Sequence, residues 1–406
     1  MTQHDLIPHL FRTEFSRITS VLCKSFGLDH METAEDIVSE TFMAALELWP
    51  YKGIPENPVA WLYVVAKNKT RNYLHRDQLF RNKILQALEH DSIDTFEIDL
   101  SEKNISDSML QMLFAICNPV NSQEGQVALA LRILCGFGVD EIATAFLIKK
   151  DTVNKRLHRA RQKLREVKSV ELPPAHEFNK RIDAVLTTLY LLFSEGYYSE
   201  DREELVQEEL CREAMRLVRL LTEHESTSHP KVNALYALMC FQSSRLTARK
   251  NTSGAILLYD EQDTGNWDQV LIAQGAFYLQ KSATGGSYSK YHLEAAIAYW
   301  HTIKEDSDSK WKNILMLYDK LLEIDDNPLT ALNRIYALSK LEGNTKAIRE
   351  AEKLNLENNP FYYSLLGTLY FNTDGTKARE HFHKAMRLAK TRTARELLSR
   401  KFNKLS

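Results

Sequence analysis

Apolar positions recur with a helical period along nearly the whole chain, and strand-like alternation is almost absent. Phe11, Phe15, Ile18, Leu22 and Phe26 form one stripe. Ile37, Thr41, Ala45 and Leu48, with Val38, Phe42 and Trp49 beside them, form a second. Pro50, Gly53, Pro55 and Pro58 punctuate the next stretch of chain. Asn57 reads as an N-cap with Pro58 at the first helical position, where a missing N–H costs nothing, so a third helix is predicted from there to about Arg81. Helical pattern resumes near Met109 and runs to about Lys168. Pro173-Pro174 marks a boundary, and the rest is helical with breaks at Gly196, Pro230, Gly254, Gly265 and Gly285-Gly286. The expected fold class is all-α.

The C-terminal hundred residues repeat themselves. Leu332, Tyr336, Ile348, Ala351 and Leu354 each have a counterpart 34 positions on, at Leu366, Tyr370, Phe382, Ala385 and Leu388, with Asn333 opposite Gly367. That period, with small and aromatic residues at these offsets, predicts tetratricopeptide-like (TPR-like) helix pairs. Tyr299 to Leu321 matches the pattern poorly. Two repeats do not make a stable solenoid alone, so the array is expected to lean on the helices before it.

Charge changes this picture, because a net charge of −2 hides a strong asymmetry. Lys149 to Lys168 holds nine Lys and Arg against Asp151 and Glu166. Trp61 to Lys83 holds six against Asp77, while Ile84 to Asp107 holds seven acids against Lys103. Two basic surfaces joined by an acidic linker point to nucleic acid. The five cysteines are scattered with no CxxC pair, which fits reduced core thiols better than a disulfide framework or a metal site. No apolar run approaches the roughly 18 residues of a membrane span, and the first residues lack the apolar stretch of a signal peptide. A cytoplasmic protein without membrane contact is expected.

The most informative segment is VDEIATAFLIKKDTVNKRLHRARQKLRE, Val139 to Glu166. A helix with a small residue at the crossing, Ala143, is followed by a turn closed by Ile148. A basic helix then follows, with Val153 and Leu157 as inward anchors. This is the layout of a helix-turn-helix. Asp151, Asn154, Lys155, His158, Arg159 and Gln162 would face outward toward base edges in the major groove. Lys150, Arg161 and Lys163 are assigned to phosphates. The competing reading is a solvated basic helix in a bundle.

The segment resembles region 4 of extracytoplasmic-function (ECF) sigma factors, and two further segments resemble region 2 of the same family. AEDIVSETFMAALELWP, Ala34 to Pro50, is similar to the helix that grips the β′ clamp of core RNA polymerase. The resemblance gives that role to Glu35, Asp36, Glu40, Phe42 and Glu47. NPVAWLYVVAKNKTRNYLHR, Asn57 to Arg76, is similar to the segment that opens and reads the −10 element. Its residues suit capture of unstacked bases, which needs a cationic track and planar groups. Lys67, Lys69, Arg71 and Arg76 offer the track, and Asn68 and Asn72 offer hydrogen bonds to base edges. Trp61 and Tyr73 are stacking platforms or core aromatics, with core favoured for Trp61. Later segments, among them YLLFSEGYYSE, LCREAMRLVRLL and YDEQDTGNWD, occur in the order seen in an ECF subgroup with a large TPR-like C-terminal extension.

The chain departs from that subgroup in places. Ile116-Cys117-Asn118-Pro119 stands where a Cys-Cys-His-Pro string is common, which weakens any metal or redox role for Cys117. Asn72 replaces an Asp, Lys149 replaces a Ser that caps the recognition helix, and Asp263-Thr264 replaces Asp-Arg. Glu261, Asp263 and Asp268 are close in sequence but lack a matching base or metal-ligand spacing. No GxxxxGK[ST], HExxH or GxSxG motif occurs, so no enzyme activity, catalytic residue, metal or cofactor is expected.

The expected domains are 1–83 (region 2, polymerase and −10 binding), 84–107 (acidic linker), 108–170 (region 4, −35 binding), 177–288 (helical extension) and 289–406 (TPR-like repeats). The expected partners are the polymerase β′ clamp and β flap, promoter DNA, and a protein that docks on the repeats. The alternatives are a helix-turn-helix regulator carrying a TPR scaffold and working without polymerase, or an interaction scaffold whose basic helices bind RNA or acidic partners.

Overall fold

Helix starts along the chain are set by side chains that accept the orphan N–H groups of a first turn. Asn57 Oδ1 accepts from the Ala60 amide, Ser101 Oγ from Asn104, and Ser122 Oγ from Gly125. Asp268, Asn327, Asn359 and Asp374 do the same further on, with Pro328 and Pro360 at first helical positions. The structure, a computed structural model, describes residues 3–85, 98–146, 148–167, 173–197, 208–249, 257–284, 288–371 and 373–405. Among these there are eighteen α-helices and no strand.

The chain divides into two compact units, 1–188 and 189–406. In the first, α1 (Gln3–Phe26), α2 (Met31–Lys52) and α3 (Pro58–Leu85) pack together. Phe15, Ile18, Leu22, Val38, Phe42, Trp49 and Leu62 are buried. Leu48, expected on the apolar stripe, is 38% exposed, and Trp49 takes the inward position. Pro50 does not end α2, which continues to Lys52 and stops at Gly53, whose φ of 83° suits glycine.

The helix α4 (Glu102–Ile116) lies along α1. It starts inside the segment expected to be an acidic linker, because Ser101 caps it, and Asp99 accepts from the Ser101 amide and hydroxyl. Residues 86–97 of that segment lie outside the described residues. After α5 (Gln123–Leu129) and a π-helical turn, Ala130–Leu134, come α6 (Val139–Phe146) and α7 (Lys150–Glu166). The helix α8 (Phe178–Tyr197) holds the division between the two units.

The second unit continues with α9 (Glu208–Glu223), α10 (Pro230–Ser243), α11 (Gln269–Ser282), α12 (Lys290–Trp300) and α13 (Asp308–Ile324). The pairs α14 (Pro328–Glu342) with α15 (Asn344–Leu354) and α16 (Pro360–Tyr370) with α17 (Gly375–Leu388) come next, then α18 (Arg392–Leu405). The positions that recur at 34 residues converge. Leu332, Ile348, Ala351, Leu366, Tyr370 and Ala385 share one buried cluster, with Tyr336, Leu354 and Leu388 packed against it. Gly367 admits the Phe382 ring: a Cβ there would sit 2.7 Å from it. Gly275 of α11 does the same for Phe241 of α10.

Candidate nucleic-acid and polymerase interface

In α7, Val153, Leu157, Ala160 and Leu164 are buried, a spacing that turns one stripe inward. The turn before it is closed by the Ile148 amide donating to the Ala143 carbonyl. Lys150, Asp151, Asn154, Lys155, His158, Arg159 and Gln162 all lie exposed on the other face. Lys150 pairs with Asp140 at 3.0 Å, and Gln162 donates to Glu166. Lys149 precedes α7 without a side-chain cap, as its chemistry implies.

Arg161 departs from its expected role. Its side chain is 14% exposed, and Nη2 donates to both carboxylate oxygens of Glu35 at 2.9 and 2.7 Å. Arg132 Nε lies 3.6 Å from Glu35, and Arg165 Nη2 donates to Glu32 at 2.9 Å. Arg161 is therefore committed to α2 rather than open to phosphates. Burial pushes the Glu35 carboxyl up, against the pull of Arg161 and Arg132, while Arg165 holds Glu32 down.

The polymerase candidates split accordingly. Asp36, Glu40 and Glu47 are exposed on α2. Glu35 is 6% exposed, and Phe42 is buried with its ring edge-on to Phe11 at 5.0 Å, so neither stands at a free surface. Periodicity had already placed Phe42 beside the apolar stripe, and packing takes it there. Besides Leu48, the outward apolar residues of α2 are ones that periodicity does not single out: Met43, Leu46 and Tyr51, the last 90% exposed. Apolar side chains thus alternate with acids on the outward face of α2.

On α3, Lys67, Asn68, Arg71 and Asn72 are exposed, whereas Trp61 packs edge-on to Trp49 at 5.4 Å and is partly buried. The Arg76 side chain lies outside the described residues. Lys69 Nζ donates to Glu40 Oε2 at 2.9 Å, tying the cationic track to α2.

The extension holds the remaining candidates. Asp263 caps a short turn, Asp268 caps α11, and Glu261 accepts from the Leu258 amide and from Arg400, so these acids serve local structure. Beside them Arg245 lies over the rings of Tyr259 and Trp267, and the buried Lys310 donates to the Ile303 carbonyl. Burial lowers Lys310 and takes His301 down to about 3. All five cysteines are free and buried, and burial pushes Cys117 up to about 12. Among the described residues no His, Cys, Asp and Glu cluster fits a metal ion, and no helix is long and apolar enough to cross a membrane.

Comparison with known proteins bears directly on this arrangement. Residues 10–79 match the model of sigma-70 region 2, and residues 123–164 match sigma-70 region 4. The chain belongs to the sigma-70 family. Residues 181–283 match a family of unknown function, DUF6596, which covers the first part of the extension. RNA polymerase sigma factor YlaC of Bacillus subtilis (strain 168) is 28% identical over 173 residues, 41% of this chain and 94% of that one. An uncharacterized protein of Rhizobium meliloti (strain 1021), R00370, is 33% identical over 373 residues, 89% of this chain and 87% of the relative. That match spans both the sigma regions and the extension. No solved structure matches. As a sigma-70 protein the chain is a DNA-binding initiation factor that works with RNA polymerase.

Proposed function

We propose that this sigma factor is of the ECF type and divides its work among three surfaces. The outward face of α2, with Asp36, Glu40, Glu47, Met43 and Leu46, binds the polymerase β′ clamp. The exposed residues of α3, Lys67, Asn68, Arg71 and Asn72, take the −10 element. The exposed face of α7 takes the −35 element, and region 4 meets the β flap. The observation that carries the reading is the separation of faces on α7, where four buried anchors leave a polar and cationic stripe outside. The extension, with TPR-like pairs α14–α15 and α16–α17, regulates this activity or docks a protein. A cleft of about 440 Å³ lined by Leu279, Tyr288, Leu293, Tyr299 and Leu317 supports docking of an apolar group there.

Transcription from a cognate promoter with core polymerase tests the reading. Arg159→Ala or Lys155→Ala is expected to weaken promoter binding by about 1–3 kcal/mol while polymerase binding survives. Wild-type initiation by both variants would sink the assignment of α7. Tight operator binding by the chain alone would favour a regulator that works without polymerase.

A further inference from the structure

The extension is divided in charge. Leu189 to Asp374 holds 27 acids against 19 Lys and Arg, a net of −8, whereas Gly375 to Ser406 holds ten Lys and Arg against Glu380 and Glu396, a net of +8. The two parts cancel, so an average over the extension conceals the second. This last stretch is more basic than Lys149 to Lys168, yet it lies outside all three matched families.

Packing sorts these cations. Arg400 is paired with Glu261 and Arg392 with Glu396, and burial lowers Lys401. On α17, Lys377, Arg379, Lys384 and Arg387 are exposed, and none of the four is in an ion pair among the described residues. Lys377, Lys384 and Arg387 are spaced by seven and three, so they share one face over about 15 Å of helix at a rise of about 1.5 Å per residue. Two of them are held in place by α16. Lys377 Nζ lies 5.0 Å from the Tyr370 ring centre and Lys384 Nζ 4.3 Å from that of Tyr363, with His381 stacked against both rings. Arg387 also lines a cleft of about 680 Å³ with His383, Arg395 and one acid, Glu380.

Like charges side by side repel, and a face of this kind is stabilised by an external polyanion. Cations already seated on aromatic rings lose little freedom when a phosphate arrives. The helix α17 has none of the Asn and Gln amides that α7 carries beside its cations, so its face suits phosphates rather than a base sequence. Duplex DNA is the polyanion on which a sigma-70 protein works. We infer that the Lys377, Lys384 and Arg387 face of α17 is a third DNA-binding surface, which grips duplex phosphates without reading sequence. It is independent of the assignment of α3 and α7 to the two promoter elements. The extension thereby contributes directly to the hold on DNA.

The test is the affinity of the full chain for a fluorescent duplex of roughly 30 base pairs without promoter sequence, followed by anisotropy between about 50 and 200 mM KCl. One triple variant, Lys377→Ala with Lys384→Ala and Arg387→Ala, removes the charges. A second, Lys377→Arg with Lys384→Arg and Arg387→Lys, keeps them. The alanine variant is expected to bind about tenfold to hundredfold more weakly at about 100 mM salt, with the slope of log affinity against log salt shallower by about two to three. The charge-keeping variant is expected to match wild type in both. An unchanged slope in the alanine variant overturns the surface, as does a wild-type chain that fails to bind the duplex at the lowest salt. Loss confined to a single-stranded RNA of equal length, or to core polymerase binding, gives the face to that partner and overturns it as well. Arg159→Ala measured alongside keeps the two layers apart. If that variant holds a promoter as wild type does, the assignment of α7 fails and the surface on α17 stands.

Discussion

The seam of contact between α2 and α7 joins helices distant in sequence, whereas the core of the α14–α17 pairs joins consecutive ones, and the two do so by opposite means. The seam relies on Glu32, Glu35, Arg132, Arg161 and Arg165, whose attraction depends on solvent and salt. The repeat core relies on Leu332, Ile348, Leu366, Tyr370 and Phe382, whose burial is insensitive to charge and needs no exact angles between donors and acceptors. One joint is sensitive to ionic strength and the other is not. The same chain therefore carries an ionic junction and an apolar core.

The largest expected effect falls on the apolar side. Phe382→Ala removes a ring buried against Gly367 and should destabilise the second unit by about 3–5 kcal/mol in denaturant unfolding. A loss below about 1 kcal/mol would mean that the repeat core is loosely packed, and the comparison would fail.

The next tests charge inside the scaffold. Burial raises Glu294 of α12 to about 7, so its folded-state value lies above the unfolded one. Its contribution is fully present below about pH 4.5 and is lost as pH rises through about 7. Glu294→Gln should therefore stabilise the unit by about 3 kcal/mol at pH 8 relative to wild type, with the gain falling below about 1 kcal/mol near pH 5 and vanishing below about pH 4. The difference between variant and wild type is the quantity to follow. His301, lowered to about 3, loses stability as pH falls and opposes the trend in either protein alone.

A smaller effect belongs to the helix starts. Asn359→Ala removes the acceptor for the Phe361 and Tyr362 amides and should cost about 1 kcal/mol, read from thermal unfolding of the same unit. Smallest of all, breaking the exposed Arg219–Glu223 pair should cost about 0.3–0.5 kcal/mol, and 1 M salt should erase it. A larger cost would show that ionic contacts hold the scaffold as they hold the seam.

Much of the fold was legible because its signals are local. Asn57 with Pro58, the Ala143–Ile148 turn and the inward Val153 and Leu157 all follow from spacing within one helix or turn. The repeat was legible because its recurring positions share one core. The seam was not, since Glu35 and Arg161 are 126 residues apart and each alone looks like a surface charge. A matched pair of stripes was nevertheless present. Glu32 and Glu35 lie three residues apart on α2, and Arg161 and Arg165 lie four apart on α7. Pairing stripes of opposite sign across helices would have found it. Residues 102–107 read as linker in the sequence because the acids there mask the Ser101 cap that starts α4.

The burial of every thiol has a practical consequence for mapping motion. Cys23, Cys117 and Cys135 belong to the first unit, and Cys211 and Cys240 to the second. A thiol reagent can reach each sulfur only when its surroundings break open, so alkylation rates rank those openings. One time course followed by peptide mass spectrometry would resolve the melting of both halves at once, with no amino acid changed.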